Sequence, residues 1–383
     1  MADKYETLRK AYRDQNLTLY LGAGVSIGSR LPSWEKLVLA MYVNKISELS
    51  MEGWRPYSNY LYAIAEWQFN NSEEPLEITA RKLRKYYEKD SKESFLADLY
   101  GTLYGSLLQN ENPSPVANDD FLRQNNATLD SVARLCEAQA RGVQAVVTYN
   151  YDSLLEIALG EFPCQSVYGQ SVLDELSLPI YHVHGYVPLH RNVEGSKGDD
   201  IIFTEDQYHL VAESPYFWSN LVQLQLMSNS VGLMIGLSLS DRNMRRLLDA
   251  VRKSPIHSNN FALLKEPDMQ SPDGDVLEAI NRKAITYLKE FERGGIKSNQ
   301  PGDGRILYRK PGVPTPYPNI KSSRPGIKGP RYQYEIAQII EQVQVIAKDQ
   351  QEYVLKQLGI TPIWFHDFPD IPVVLDEIFG RNQ

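Results

Sequence analysis

The chain is short of cysteine, of long apolar runs and of positive charge, and each shortage closes a class of function. Two cysteines, Cys136 and Cys164, occur in 383 residues. So few thiols exclude a disulfide-built scaffold and a multi-cysteine zinc site. The same scarcity fits a reducing compartment, so a cytoplasmic protein is expected. No stretch approaches the roughly 18 uninterrupted apolar residues of a membrane span, so no membrane partner is expected. The charged N-terminus, MADKYETLRKAYRDQN, has no apolar centre of the signal-peptide kind. The formal net charge is −8, a sign that disfavours holding nucleic acid over the whole surface. Nor is there a clear cluster of metal-binding carboxylates, as a nuclease would need.

What is present is ordinary for a globular chain, 42% hydrophobic and 23% charged, enough for a sizeable core. Strand-length apolar runs lie at 17–21 (LTLYL), 143–149 (VQAVVTY), 179–184 (PIYHVH), 231–236 (VGLMIG), 261–266 (FALLKE) and 360–365 (ITPIWF). IIFTEDQY (201–208) reads as a strand leading into a loop and helix. Helical periodicity occupies 3–14, the stretch from Ser33 as N-cap, most of 53–140 apart from a polar loop around 109–120, NMRRLLDAV, and the closing DIPVVLDEIF. Buried strands alternating with helices predict an α/β fold, a Rossmann-like parallel sheet with helices on both faces. A mainly helical insertion is expected over 35–130, and a second over 270–350 with a helix and a Pro/Gly-rich basic loop. Within it, residues 301–330 hold seven prolines, five glycines and six Lys or Arg against one acid. That composition predicts no regular element but a solvated loop, or a docking arm for a partner or an anion.

Four polar motifs follow predicted strands. Gly22-Ala23-Gly24 would let backbone approach a pyrophosphate, with the N–H groups of the helix start facing the charge. A tight turn without a ligand explains the same residues, because Gly22, Gly24 and Gly28 do not make the standard dinucleotide spacing. In Thr148-Tyr149-Asn150-Tyr151-Asp152, the Asn150 amide offers an acceptor and a donor to a water or a ribose hydroxyl. Asp152 could cap the next helix. In Tyr181-His182-Val183-His184-Gly185, strand alternation puts both histidines on one side, where one could serve only to support the other, and His184 lies at the strand's mouth. A metal on the pair is discounted for want of a third ligand. In Gly236-Leu237-Ser238-Leu239-Ser240-Asp241, the hydroxyls could bind ribose or phosphate oxygens, and Asp241 is a good N-cap. Open parallel sheets bind ligands at the carboxyl ends of their strands, where all four motifs fall.

In this order, GAG-x-S, T-x-N-x-D, HG and G-x-S-L resemble the sirtuin superfamily, over residues 17 to about 250 and, with ITPIWF, most of the chain. The resemblance implies one NAD-binding domain over 1–383, with NAD+ as substrate, no further cofactor and no metal. Three departures separate the chain from the protein deacylases. The four-cysteine zinc module is missing, Pro32-Ser33-Trp34-Glu35 stands where they carry Pro-Asp-Phe-Arg, and Leu237 replaces the usual threonine. The helical insertion and FTEDQYH (203–209) resemble the zinc-less bacterial sirtuin-like effectors of antiphage defence, which hydrolyse NAD+.

Carried onto this chain, that resemblance implies Asn150 and His184 as catalytic residues, positioning water and accepting a proton. It implies Gly22, Ala23, Gly24, Ser26, Asp152, Gly236 and Ser238 as binding residues, Ser238 on the adenosine side. It further implies a homo-oligomer, restrained until triggered, and a separately encoded partner such as a HerA-type ATPase or an Argonaute-type protein. A non-catalytic NAD or ADP-ribose sensor and an ADP-ribosyltransferase are the alternatives.

Overall fold

The computed structural model describes residues 5–49, 58–71, 74–90, 92–108, 119–138, 142–214, 216–254, 259–267, 296–298, 306–308 and 330–380. The chain forms two compact units, Met1–Lys265 with Glu352–Gln383, and Glu266–Gln351. Among the described residues no helix is long and apolar enough to cross a membrane.

The first unit is a Rossmann-like α/β structure. Its strands are β1 (Leu17–Leu21), β2 (Val143–Thr148), β3 (Cys164–Val167), β4 (Leu178–His182), β5 (Val231–Ile235), β6 (Asn260–Lys265) and β7 (Ile360–Phe365). They make one parallel sheet in the order β3-β4-β2-β1-β5-β6-β7. The central strands are apolar because both faces are covered; every residue of β1 is buried. Leu19, Val146, Ile180 and Leu233 face one core, which includes residues of α1 (Glu6–Arg13), α3 (Trp34–Leu49), α8 (Ala127–Cys136) and α9 (Leu154–Leu159). Tyr20, Val147, Tyr181 and Met234 face the other, with α11 (Trp218–Asn229) and α12 (Arg242–Lys253). Register does the positioning. Leu21 pairs with both Thr148 and Ile235, and Thr148 pairs with His182. Four strands therefore end level, which brings motifs from distant parts of the sequence to one edge.

Helices α5 (Leu76–Asp90) and α6 (Lys92–Leu108) hold the segment that follows His184. Arg84 is buried and donates to Gly198 O at 2.6 Å and Ile201 O at 3.3 Å, with its guanidinium 4.6 Å from the centre of the Phe95 ring. A buried cation is tolerated when carbonyls and a carboxylate take its protons; Glu88 supplies the carboxylate at 3.2 Å. Tyr104 and Tyr100 donate to Val187 O and Leu189 O at 2.6 and 2.8 Å. Ile202 N returns to His184 O at 2.9 Å.

Four local expectations change. The strand read over 179–184 stops at His182, because Gly185, at φ +106°, donates back to His182 O and turns the chain. Residues 201–203 form no strand; their carbonyls at Ile201 and Ile202 are taken by Arg84 and the Tyr151 hydroxyl, and a Thr204–Gln207 capping box starts α10 (Glu205–Glu213). Strand β3 was unexpected: CQSV is four residues long with Val167 alone buried, too weak a pattern to read. In the second unit, Ile306–Tyr308 pairs antiparallel with Ile296–Ser298, so the apolar triplet ILY escapes the loop expected over 301–330. The helix Pro330–Gln357 takes up the end of that stretch. The remainder of it, and the polar loop expected around 109–120 as far as residue 118, lie outside the described residues.

Candidate active site

The glycine turn is built by contact with its neighbour. Gly22 N donates to Ile235 O and Gly24 N to Gly236 O, each at 3.0 Å, and Val25 N turns back to Gly22 O. A Cβ on Gly24 would sit 2.6 Å from Gly236 Cα, and one on Gly22 would sit 2.5 Å from Gly236 O. Gly236 itself has φ +68°, a conformation that favours glycine. These glycines serve the close approach of two strand-end turns, and three of the N–H groups expected to face a pyrophosphate are already engaged. The Ala23 N–H has no protein acceptor among the described residues. Gly28 packs on Asn126, which caps α8. Gly24→Ala should therefore destabilise the fold by about 1–3 kcal/mol through overpacking. Urea unfolding checks this; an unchanged midpoint would show that the two turns are not in contact.

Asn150 sits immediately beyond β2. Its Nδ2 donates to Gly22 O at 3.0 Å and to Ser26 Oγ at 3.1 Å. A backbone carbonyl only accepts, so the network fixes which end of the amide is nitrogen. The Asn150 Oδ1 is left without a protein partner among the described residues. Ser26 Oγ donates onward to Asp152 Oδ2 at 2.8 Å, and Asp152 Oδ1 accepts from Leu154 N at 3.1 Å. Asp152 thus takes the first N–H of α9, whose N-cap is Ser153 rather than the Asp152 expected, and, through Ser26, holds Asn150. Burial raises the Asp152 pKa, against the pull of Ser26 and the Leu154 N–H.

His184 lies apart from that network. Its ring stands edge-on to Tyr149 and Tyr208, with centroids 5.1 and 5.4 Å away, and its Nε2 is 3.5 Å from Asp241 Oδ2. Burial lowers its pKa, while Asp241 and the Tyr149 backbone pull it back up. Asp241 also caps α12, accepting from Met244 N at 2.6 Å. The cap was legible in the sequence; its second face, toward His184, was not. Tyr208, from the expected loop-and-helix segment, was missed altogether.

His182 and His184 share no partner, contrary to the alternation argument, because the strand ends between them. The His182 ring instead meets Glu156 and the Asn150 backbone carbonyl, and lies 4.4 Å from the Tyr186 ring centroid. A cavity beside Asn150 is lined by Ser26, Thr148, Asp152, Glu156 and His182 as well, so His182 is the histidine that lines it. Ser238 is exposed at the rim, where its Oγ meets Ser240 Oγ at 2.7 Å. The structure thus joins Gly22, Ser26, Asn150 and Asp152, presses Gly24 against Gly236, half-buries Ala23 beside them, and leaves Ser238 outside. Among the described residues, no three His, Cys, Asp or Glu side chains converge on a possible metal position.

Residues 144–288 match one protein-family profile. It is the SIR2-like domain. The match supports a sirtuin-like family, whose domains are often NAD-dependent enzymes. It takes in the sirtuin-like Asn150, His184 and Asp241 segments and begins after the glycine turn. No curated protein matches the chain significantly.

Proposed function

We propose that this chain is an NAD+ glycohydrolase that cleaves the bond between nicotinamide and ribose, releasing nicotinamide and ADP-ribose. One observation carries the reading. The Asn150 amide is clamped by Gly22 and Ser26 with its carbonyl oxygen unclaimed, at level strand ends, inside the SIR2-like match.

As the bond breaks, its electron pair goes to the nicotinamide nitrogen, which becomes neutral, and positive charge builds on the ribose as in glycoside hydrolysis. A leaving group that departs from a cation needs no strong acid. The task left to the protein is to hold the sugar and present one water. Asn150 Oδ1 accepts from that water and aims its lone pair at the sugar carbon. The water's oxygen bonds that carbon, and its proton passes toward His184 by way of the ribose hydroxyls. His184 is suited to receive it because burial favours its neutral form. Asp241 steadies the imidazolium that results. Gly22, Ala23, Gly24, Ser26, Asp152 and Gly236 complete the NAD+ site, the Ala23 N–H being open to a phosphate oxygen and Ser238 reaching the adenosine only from the rim.

The finer reading is a regulated effector of antiphage defence that depletes NAD+ in the cytoplasm. It works as a homo-oligomer, beside a HerA-type ATPase or an Argonaute-type partner. The support is the resemblance of the helical insertion and the missing zinc module. Purified protein incubated with NAD+, alone and with each partner, should yield nicotinamide and free ADP-ribose in equal amounts by chromatography. Label fixed to protein would mean ADP-ribose transfer instead. Saturable binding with NAD+ intact would mean a sensor, and either result overturns hydrolysis.

A further inference from the structure

Beneath Asn150 lies a polar pair that the proposed reaction does not use. His182 closes β4 and Glu156 lies in the first turn of α9, with side chains 0% and 13% exposed. His182 Nε2 is 2.6 Å from Glu156 Oε1, which also accepts from Ser166 Oγ at 2.8 Å. The other ring nitrogen, Nδ1, is 3.4 Å from the Asn150 backbone carbonyl. Each ring nitrogen therefore faces an oxygen. The carbonyl only accepts, so Nδ1 must carry a proton to face it favourably. One further proton then lies between Nε2 and Oε1. The pair is held as a unit, and the ring is locked between α9 and the backbone of Asn150.

A second observation points the same way. Glu156 Oε2 is sealed from solvent with no protein partner among the described residues. Glu156 lines a small cavity together with Ser26, Thr148, Asn150, Asp152 and five apolar side chains. A buried carboxylate oxygen is costly unless something donates to it. The cavity has room for about one water, and a water held there by these polar groups would supply that donor. Water there would give the floor of the site a continuous set of hydrogen bonds.

We infer that His182 and Glu156, completed by one buried water, are positioning residues that fix the Asn150 peptide and, through it, the amide that faces substrate. The catalytic consequence rests on the glycohydrolase reading; the arrangement of protons does not.

The test uses the full-length chain. Nitrogen-15 spectra of the histidine rings should show His182 Nδ1 protonated and a strongly deshielded proton in the Nε2–Glu156 hydrogen bond that disappears in Glu156→Gln. The Asn150 side-chain amide signals, sharp in the parent protein, should shift or broaden in that variant. With NAD+, Glu156→Gln should lower kcat about 10- to 100-fold, the scale of a small misplacement, with KM changed by less than about twofold. His182→Gln, which keeps a donor for Glu156 but loses the lock on Asn150, should do the same if Glu156→Gln fails to fold. A bare Nδ1 in His182, unmoved Asn150 signals, or lost thermal stability with full kcat would each overturn the inference. Should the parent protein release no nicotinamide, the reaction fails, and the ring and amide signals alone decide the pair.

Discussion

Asn150→Ala is expected to lower nicotinamide release by about 10²- to 10³-fold, the usual loss when one preorganised polar group is removed from a reaction centre. The fold should survive. The amide touches Gly22 O and Ser26 Oγ at the edge of the sheet, and neither core cluster includes it. Each atom keeps a partner, Gly22 O the Val25 N–H and Ser26 Oγ the Asp152 carboxylate, so the loss is about 0.5–1.5 kcal/mol per hydrogen bond. Asn150→Asp is the sharper variant, since its shape is the same. A carboxylate cannot donate to Gly22 O, so acceptor would face acceptor. It would also share Ser26 with Asp152, whose ionised form burial already disfavours. Asn150→Asp should therefore lose as much activity as the alanine variant and more stability. Chromatography of nicotinamide with parallel thermal unfolding reads both. Turnover within tenfold of the parent in the alanine variant would remove Asn150 from the mechanism.

The parts of the fold legible in the sequence are those buried most completely. Strands β1, β2 and β5 are mostly apolar runs, buried throughout in β1 and toward their carboxyl ends in β2 and β5, and those ends mark where the polar motifs begin. The convergence of those ends depends on register, Leu21 level with Thr148 and Ile235, which follows from pairing across more than a hundred residues. Gly24 and Gly236 each read as a turn glycine. That each needs the other's missing side chain could not be seen in either motif. The two histidines went astray for a local reason. Alternation holds only while a strand lasts, and the turn closed by Gly185, at a left-handed φ, ends it at His182. The role of His182 and Glu156 was hidden because their meeting joins a strand end to a helix turn, with no spacing rule between them.

His184→Ala should cost about 10²- to 10⁴-fold, the range of general-base catalysis, and the pH dependence should identify the base. Burial holds the His184 pKa below its ordinary value of about 6.5. Its neutral, working form therefore persists through neutral pH, and the rate falls as acid protonates it below that value. Stability moves with the same sign. The folded pKa is the lower one, so the unfolded chain takes up the proton first and stability is lost as pH falls from about 6.5 through the folded pKa. The groups facing the ring are Tyr149, Tyr208 and Asp241. Burial raises both tyrosines well above their ordinary range, so they stay neutral throughout. Asp241 supplies the charge. Asp241→Asn keeps an oxygen for the Met244 N–H, and asparagine caps helices about as well as aspartate. The substitution thus removes charge and leaves the cap. Without that carboxylate the imidazolium loses support, its pKa falls further, and the acid limb of kcat/KM moves to lower pH. The rate at pH 7 falls as well, because the ring loses the contact that orients it. A limb that stays in place or moves upward, measured in variant and parent under one buffer series, would show that Asp241 caps a helix and does no more.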